Sequence, residues 1–409
     1  MPIKKVLLFD VDGVLVEPIA YKEAVKKTLE ILCNAIGVEN TDSLIPSGSD
    51  IAFMESRGIR NLWDMTNIVF GLILQNLFKQ HGLPELDPDL PIEEQLNSIG
   101  ARSVKVSCPD YLKFSQLITE ADSNHPPEQT LKILNVATNA SMQSVLEAFL
   151  QYTRSPNYSF GTSLYQNIIL GTVEFEDTYH RPCHILCQSL LRLRDKCYLS
   201  SAYLEKLKEL RKRDDLRMAV YSNRSSHAPG DIDPIPGFAP EAEIAVHSAG
   251  LSDLPLVGMG MMVWLAAMHE EQPEDLAEPN LTHALSTLLA ALSGKSNSKA
   301  LELAYSFARL NTANLELPDL KDQQLEVFVF EDTVSGIKPM LKLADTLRSN
   351  GYSISVTPLG IASDDEKIAS LQEVCHRVFP NINSALEFLF PDEFSPELED
   401  ESAGWQTMT

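Results

Sequence analysis

Three short apolar runs, far apart in the chain, each end in residues able to do chemistry. Ile3–Asp10 closes on an acid before the turn signal Asp12-Gly13, Leu216–Tyr221 leads into Ser222-Asn223, and Leu325–Phe330 leads into Glu331-Asp332. None of the three alternates apolar with polar residues. A strand covered on one face alternates, whereas one buried on both faces reads as a continuous apolar run, the mark of a parallel sheet with helices on either side. Ligands of such sheets sit beyond the carboxyl ends of the strands, so three polar strand ends point to one shared site. The expected class is therefore α/β, with a Rossmann-like parallel sheet as its core.

About 200 residues separate the first run from the second, and their apolar positions recur at helical spacing. Tyr21–Ile36, Asn61–Gln80, Leu131–Tyr152 and His184–Tyr198 predict helices, and Ala202–Arg213 predicts an amphipathic one leading into the second strand. The stretch from Pro84 to Pro127 is polar and punctuated by proline, which predicts only partial order. The organisation that follows is a discontinuous core over 1–16 and 200–392 with a mainly α-helical cap over 17–199. Residues 226–293, opening with Pro229, Pro234, Pro236 and Pro240, read as an irregular insertion within the core. The acidic tail 393–409 reads as disordered.

Composition narrows the partners. With 33 basic and 57 acidic residues the formal charge is −24, which disfavours nucleic acid and anionic membranes as partners, since both are held mainly by Lys and Arg. An anionic substrate stays possible if a metal or helix N-termini supply local positive charge. The longest apolar runs, such as Val257–Met268, are too short to cross a bilayer. Met1–Phe9 lacks the long apolar stretch and cleavage site of a secretory signal. Six cysteines in 409 residues make no disulfide framework, and a cytoplasmic location is the simplest expectation. The sequence leaves the oligomeric state open.

Asp10 and Asp12 stand two apart at a strand end, within Leu8-Phe9-Asp10-Val11-Asp12-Gly13-Val14-Leu15. Side chains at that spacing share a face, and two close carboxylates repel unless a cation lies between them. Mg²⁺ suits, being a hard cation that takes oxygen ligands. A carboxylate can also act as a nucleophile and carry a phosphoryl group. The plainer reading of Asp12-Gly13 is a simple chain reversal, which the uninterrupted apolar run before it disfavours.

The string Phe9-Asp10-Val11-Asp12-Gly13-Val14-Leu15 resembles the first motif of the haloacid dehalogenase superfamily, and the other three motifs follow in order. Val220-Tyr221-Ser222-Asn223 is similar to the second, Gly294-Lys295 to the third, and Val329-Phe330-Glu331-Asp332-Thr333-Val334-Ser335-Gly336 to the fourth in its Glu-Asp form. The resemblance implies a Mg²⁺-dependent phosphatase acting on a small phosphorylated metabolite. Asp10 is then the nucleophile. Asp12 protonates the leaving oxygen and later activates water. Ser222, with Asn223 beside it, and Lys295 bind the phosphoryl oxygens. Mg²⁺ is held by Asp10, the backbone carbonyl of Asp12 and Asp332, with Glu331 near. The second acid, Asp12, favours phosphate chemistry over carbon–halogen cleavage, because a halide needs no proton on leaving.

The third motif departs from the usual Lys-Pro-x-Pro: here it reads Lys295-Ser296-Asn297-Ser298, and Lys299 and Lys338 are nearby alternatives. Substrate choice would fall to the cap, where Arg57 and Arg60 are candidates to grip an anionic group. Both also fit a solvated helix face. His180, Cys183, His184 and Cys187 lack the second ligand pair of a structural zinc site, and a packed cap helix accounts for them better. Two other functions fit the same motifs less simply. One is a phosphomutase or phosphotransferase, in which an acceptor hydroxyl replaces water. The other is a non-catalytic scaffold on this core, and loss of an acid would have marked it.

Overall fold

The computed structural model describes residues 3–82, 84, 86, 87, 89–118, 125–135, 140–310 and 316–394. The chain divides into two compact units, one of residues 1–18 and 196–409, the other of residues 19–195. The expected tail over 393–409 lies outside the described residues from 395 onward; before it, Pro391–Phe394 is a short helix.

The first unit is an α/β Rossmann-like domain. Its strands are β1 (Ile3–Asp10), β2 (Val16–Glu17), β3 (Lys196–Cys197), β4 (Leu216–Tyr221), β5 (Leu256–Val257), β6 (Gln324–Glu331), β7 (Ser353–Ile361) and β8 (Arg377–Phe379). Six of them form one sheet in the order β5-β4-β1-β6-β7-β8, with every pairing parallel. β2 and β3 make a small antiparallel ribbon. The continuous apolar runs now have their reason. Val6 and Leu8 of β1 pack under helices Leu281–Ser293, Ser298–Leu310 and Val334–Ser349. Leu7 and Phe9 pack under Ser201–Leu210, Glu241–Ser248 and Ile382–Leu389. With helices over both faces, no position in β1 from Val6 to Asp10 is left for solvent.

The stretch 226–293 differs from the expectation of an irregular insertion. Its longest irregular part ends at Pro240; after it come helix Glu241–Ser248, edge strand β5, helix Met259–His269 and helix Leu281–Ser293, which lies directly on β1 and β4. These are parts of the core itself. They escape sequence reading because β5 has two residues, too few for a pattern, and Met259–His269 is apolar nearly throughout, so it lacks an amphipathic period.

The second unit is helical. Helix Ile19–Ala35 packs on Leu62–His81 and Phe160–Leu170. Asn61 caps the second of these by accepting the N–H groups of Trp63 and Asp64. The helix expected over Leu131–Tyr152 falls on the described helices Pro126–Asn135 and Ala140–Leu150, and residues 136–139 lie outside the described residues. The helix expected over His184–Tyr198 shrinks to Leu190–Arg194. Its first part is held by side chains instead: Asn167 Oδ1 accepts the N–H groups of His184 and Ile185 at 2.8 and 2.9 Å, and Thr172 Oγ1 accepts that of Cys187 at 2.9 Å. Backbone donors satisfied this way have no need of a helix. All six cysteines are free thiols. Among the described residues, no helix is long and apolar enough to cross a membrane.

Candidate active site at the carboxyl edge of the sheet

Register fixes the site. Asp10 pairs with Tyr221, and Phe9 pairs with Phe330, so the ends of β4, β1 and β6 stand level and present Ser222, Asp10 and Glu331-Asp332 at one edge. Oxygens of Asp10, Glu331 and Asp332 all lie within 4.8 Å of one another, and all three residues are buried. Asp12 stands in the turn after β1, which is closed by hydrogen bonds from Gly13 N–H to Val16 O at 2.9 Å and from Leu15 N–H to Val11 O at 3.0 Å.

Two glycines let the carboxylates in. A Cβ on Gly13 would lie 2.2 Å from Asp332 Oδ2, and Gly13 also has a positive φ of 76°. A Cβ on Gly336 would lie 2.3 Å from the Glu331 carboxylate. Gly336→Ala therefore forces Glu331 out of place. An expected loss of about 2 kcal/mol, read by urea denaturation, follows from overpacking a tight site. A variant as stable as wild type would show that the carboxylate has room to shift.

Each acid is held differently. Glu331 Oε2 accepts the Tyr221 hydroxyl at 2.7 Å, while its Oε1 accepts Asp332 N–H at 3.1 Å, Thr333 N–H at 3.0 Å and the Thr333 hydroxyl at 2.8 Å. Asp332 Oδ2 takes the Lys367 ammonium at 2.5 Å. Asp12 takes the Arg224 guanidinium through Nη2 at 2.5 Å and Nε at 3.0 Å. The Asp10 carboxylate, by contrast, accepts no hydrogen bond among the described residues, although it is only 7% exposed.

That arrangement is electrostatically unbalanced. Burial, followed by repulsion from Glu331, Glu278, Asp12 and Asp332, pushes the Asp10 carboxyl well above the usual range. Burial and then Glu278 push Glu331 up to about 8, against the opposing hydrogen bond from Tyr221. Burial and then Asp332 push Glu278 up to about 7. Asp332 is also raised, chiefly by burial, with Lys367 opposing. Among the described residues, five acids share this edge with the Arg224 guanidinium and the Lys367 ammonium. A buried carboxylate without a partner is costly unless it is protonated or meets a cation. The donors are all hard carboxylate oxygens, which suits Mg²⁺ better than a thiophilic metal.

The expected site residues are distributed as follows. Asp10, Glu331 and Asp332 come together, with Asp12 beside them. Ser222 is buried at the end of β4; its N–H donates to Val257 O at 3.0 Å and its Oγ accepts the Arg224 N–H at 3.1 Å. Asn223 is exposed and reaches Glu278 Oε2 at 3.4 Å. Lys295 is exposed just past Gly294, which ends helix Leu281–Ser293 in a left-handed conformation; the lysine that touches the acids is Lys367. Within the second unit, Arg57 donates to Ile118 O at 3.2 Å and Arg60 to Glu55 O at 3.3 Å. His184 Nε2 lies 2.6 Å from Ser163 Oγ, and the His180–Cys187 group gathers no metal-like set among the described residues.

Sequence reading missed four members: Tyr221, Arg224, Glu278 and Lys367. Tyr221 and Arg224 flank Ser222-Asn223, so proximity to the second motif was an available signal. Glu278 and Lys367 carry no local signal, since only the fold brings them to the edge.

No protein-family model matches the chain, and no curated protein matches it in sequence. Two solved structures resemble it. One, a crystal structure determined as a structural-genomics target, superposes with a TM-score of 0.62 at 15% identity, covering 96% of this chain and 100% of its own. That likeness shows a shared fold. The other, a hydrolase from Pseudomonas syringae, reaches a TM-score of only 0.30 at 10% identity, covering 95% and 99% of the two chains, too loose a match to bear on fold or function.

Proposed function

We propose that this chain is a Mg²⁺-dependent phosphatase that hydrolyses a small phosphorylated metabolite through an aspartyl-phosphate on Asp10. The observation that supports this most is the convergence of Asp10, Glu331 and Asp332 within 4.8 Å, from two strands more than 300 residues apart in sequence. The first, second and fourth motifs of the haloacid dehalogenase superfamily, whose residues meet at this edge, point the same way.

In this reading Asp10 attacks phosphorus, because its carboxylate is the one left without a hydrogen bond and so stays nucleophilic. Asp12 gives a proton to the leaving oxygen and then takes one from the water that cleaves the aspartyl-phosphate. Arg224 fixes the direction in which Asp12 points. Ser222 lies at the neighbouring strand end, where its hydroxyl can meet a phosphoryl oxygen. Glu331, fully hydrogen-bonded, sets the position of the acids in front of it. Asp10, Asp332 and the Asp12 carbonyl would hold Mg²⁺, with Glu331 behind; when bound, the ion screens the repulsion between an anionic nucleophile and an anionic phosphoryl group.

EDTA is expected to stop hydrolysis of an aryl phosphate by the purified protein, and added Mg²⁺ to restore it. Hydrolysis that continues at the same rate without metal contradicts the role given to Asp332. Release of orthophosphate from a panel of sugar phosphates, rather than isomerised sugar phosphate, separates a phosphatase from a mutase.

A further inference from the structure

An ammonium already occupies one of the carboxylates that the proposed site would offer to a metal. Lys367 Nζ lies 2.5 Å from Asp332 Oδ2, and Asp332 belongs to the trio whose oxygens converge within 4.8 Å. The two partners differ in freedom. The Asp332 side chain is 10% exposed and packed against Gly13, whereas that of Lys367 is 54% exposed. The backbone of Lys367 is fixed, because Asp364 Oδ1 caps helix Asp365–Gln372 by accepting the N–H groups of Glu366 and Lys367, each at 3.1 Å. What can move is a four-carbon stem carrying a compact, strongly hydrated charge.

A divalent ion and an ammonium on the same carboxylate repel each other, so gaining one weakens the hold on the other. We propose, building on the phosphatase reading, that Lys367 is a displaceable placeholder. It neutralises Asp332 while no metal is bound, leaves when Mg²⁺ arrives, and then serves as the cation that meets the phosphoryl group of the substrate. Arg224 is poorly suited to that last task, since two of its nitrogens are engaged with Asp12. The anion has to approach a cluster of five acids, and Lys367 is a half-exposed cation at that cluster. The exchange also sets an order: Mg²⁺ frees Lys367 and so favours the anion, and by reciprocity the anion favours Mg²⁺.

Calorimetry on the full chain tests this without turnover. Lys367→Met is expected to bind Mg²⁺ about tenfold more tightly than wild type, as removal of a competing like charge requires. In saturating Mg²⁺ it is expected to bind orthovanadate and inorganic phosphate at least about fivefold more weakly. Lys367→Arg keeps the charge and restores both affinities toward wild type. Unchanged or weaker Mg²⁺ binding by Lys367→Met overturns the proposal, and so does phosphate binding that this variant leaves intact. A protein that binds Mg²⁺ and phosphate as expected yet hydrolyses no phosphate ester would lose the phosphatase reading alone. A wild-type protein that takes up no Mg²⁺ overturns both.

Discussion

Asp10→Asn is expected to lower turnover of an aryl phosphate by about a thousandfold or more while leaving the fold intact. The amide is nearly the same size as the carboxylate, so packing at the end of β1 is kept, but it cannot form an acyl phosphate. The electrostatics make a second, independent part of the expectation. In the metal-free protein the Asp10 carboxyl is buried, lacks a hydrogen bond among the described residues, and faces Glu331, Glu278, Asp12 and Asp332, which makes its ionised form costly. A neutral side chain there relieves repulsion. Metal-free Asp10→Asn should therefore melt at a higher temperature than metal-free wild type, and saturating Mg²⁺ should stabilise the variant less than wild type. Undiminished hydrolysis would reject Asp10 as the nucleophile. A melting temperature below that of metal-free wild type would reject the account of the site as a strained cluster of like charges.

The same cluster makes stability depend on pH in an uncommon direction. Glu331 is pushed up to about 8 and Glu278 to about 7, mainly by burial, whereas an unfolded glutamate titrates near about 4.3. Between those values the folded protein holds more protons than the unfolded one, so stability falls as pH rises. His283, buried and pushed down to about 4, works in the opposite sense, but only below about pH 6.5, the unfolded value. From pH 6.5 to 8 the acids act without that opposition. Metal-free protein is expected to lose about 2 kcal/mol over this range, several degrees of melting temperature. Saturating Mg²⁺ should flatten the slope, because a divalent charge beside Glu331 and Glu278 favours their ionised forms at both ends of the range. Parallel slopes with and without Mg²⁺ would mean that no ion sits beside these acids.

Much of this site was legible because its members end continuous apolar runs. A parallel strand needs continuous apolar residues to lie between two layers of helices, and the first polar residue after the run marks the edge where chemistry is possible. Asp10, Ser222 and Glu331-Asp332 are visible for that reason. Tyr221 was hidden by its own character: as the last apolar residue of β4 it reads as core, while its hydroxyl reaches past β1 to Glu331. Arg224 sits in a loop with no period to mark it. Lys295 shows the opposite weakness. A Gly-Lys pair between two helical patterns resembles a motif, but it closes helix Leu281–Ser293 and is exposed, while the ammonium that touches Asp332 comes from a helix after β7. Glu278 stands in a non-helical segment just before that same helix, where a sequence pattern carries no information about what lies opposite.

The sequence by itself determined the class of the core and the identity of its acidic strand ends, because burial on two faces and the change from apolar to polar are local properties of the chain. It could also separate a helical segment from the sheet, since helical and extended periods differ. Only the tertiary structure decided that β5 and helix Leu281–Ser293 belong to the core, and that Glu278, Tyr221, Arg224 and Lys367 surround the acids. Those facts depend on strand order and register. A side chain's charge is written in the sequence, but its energetic meaning comes from which other charges the fold places within a few ångströms of it.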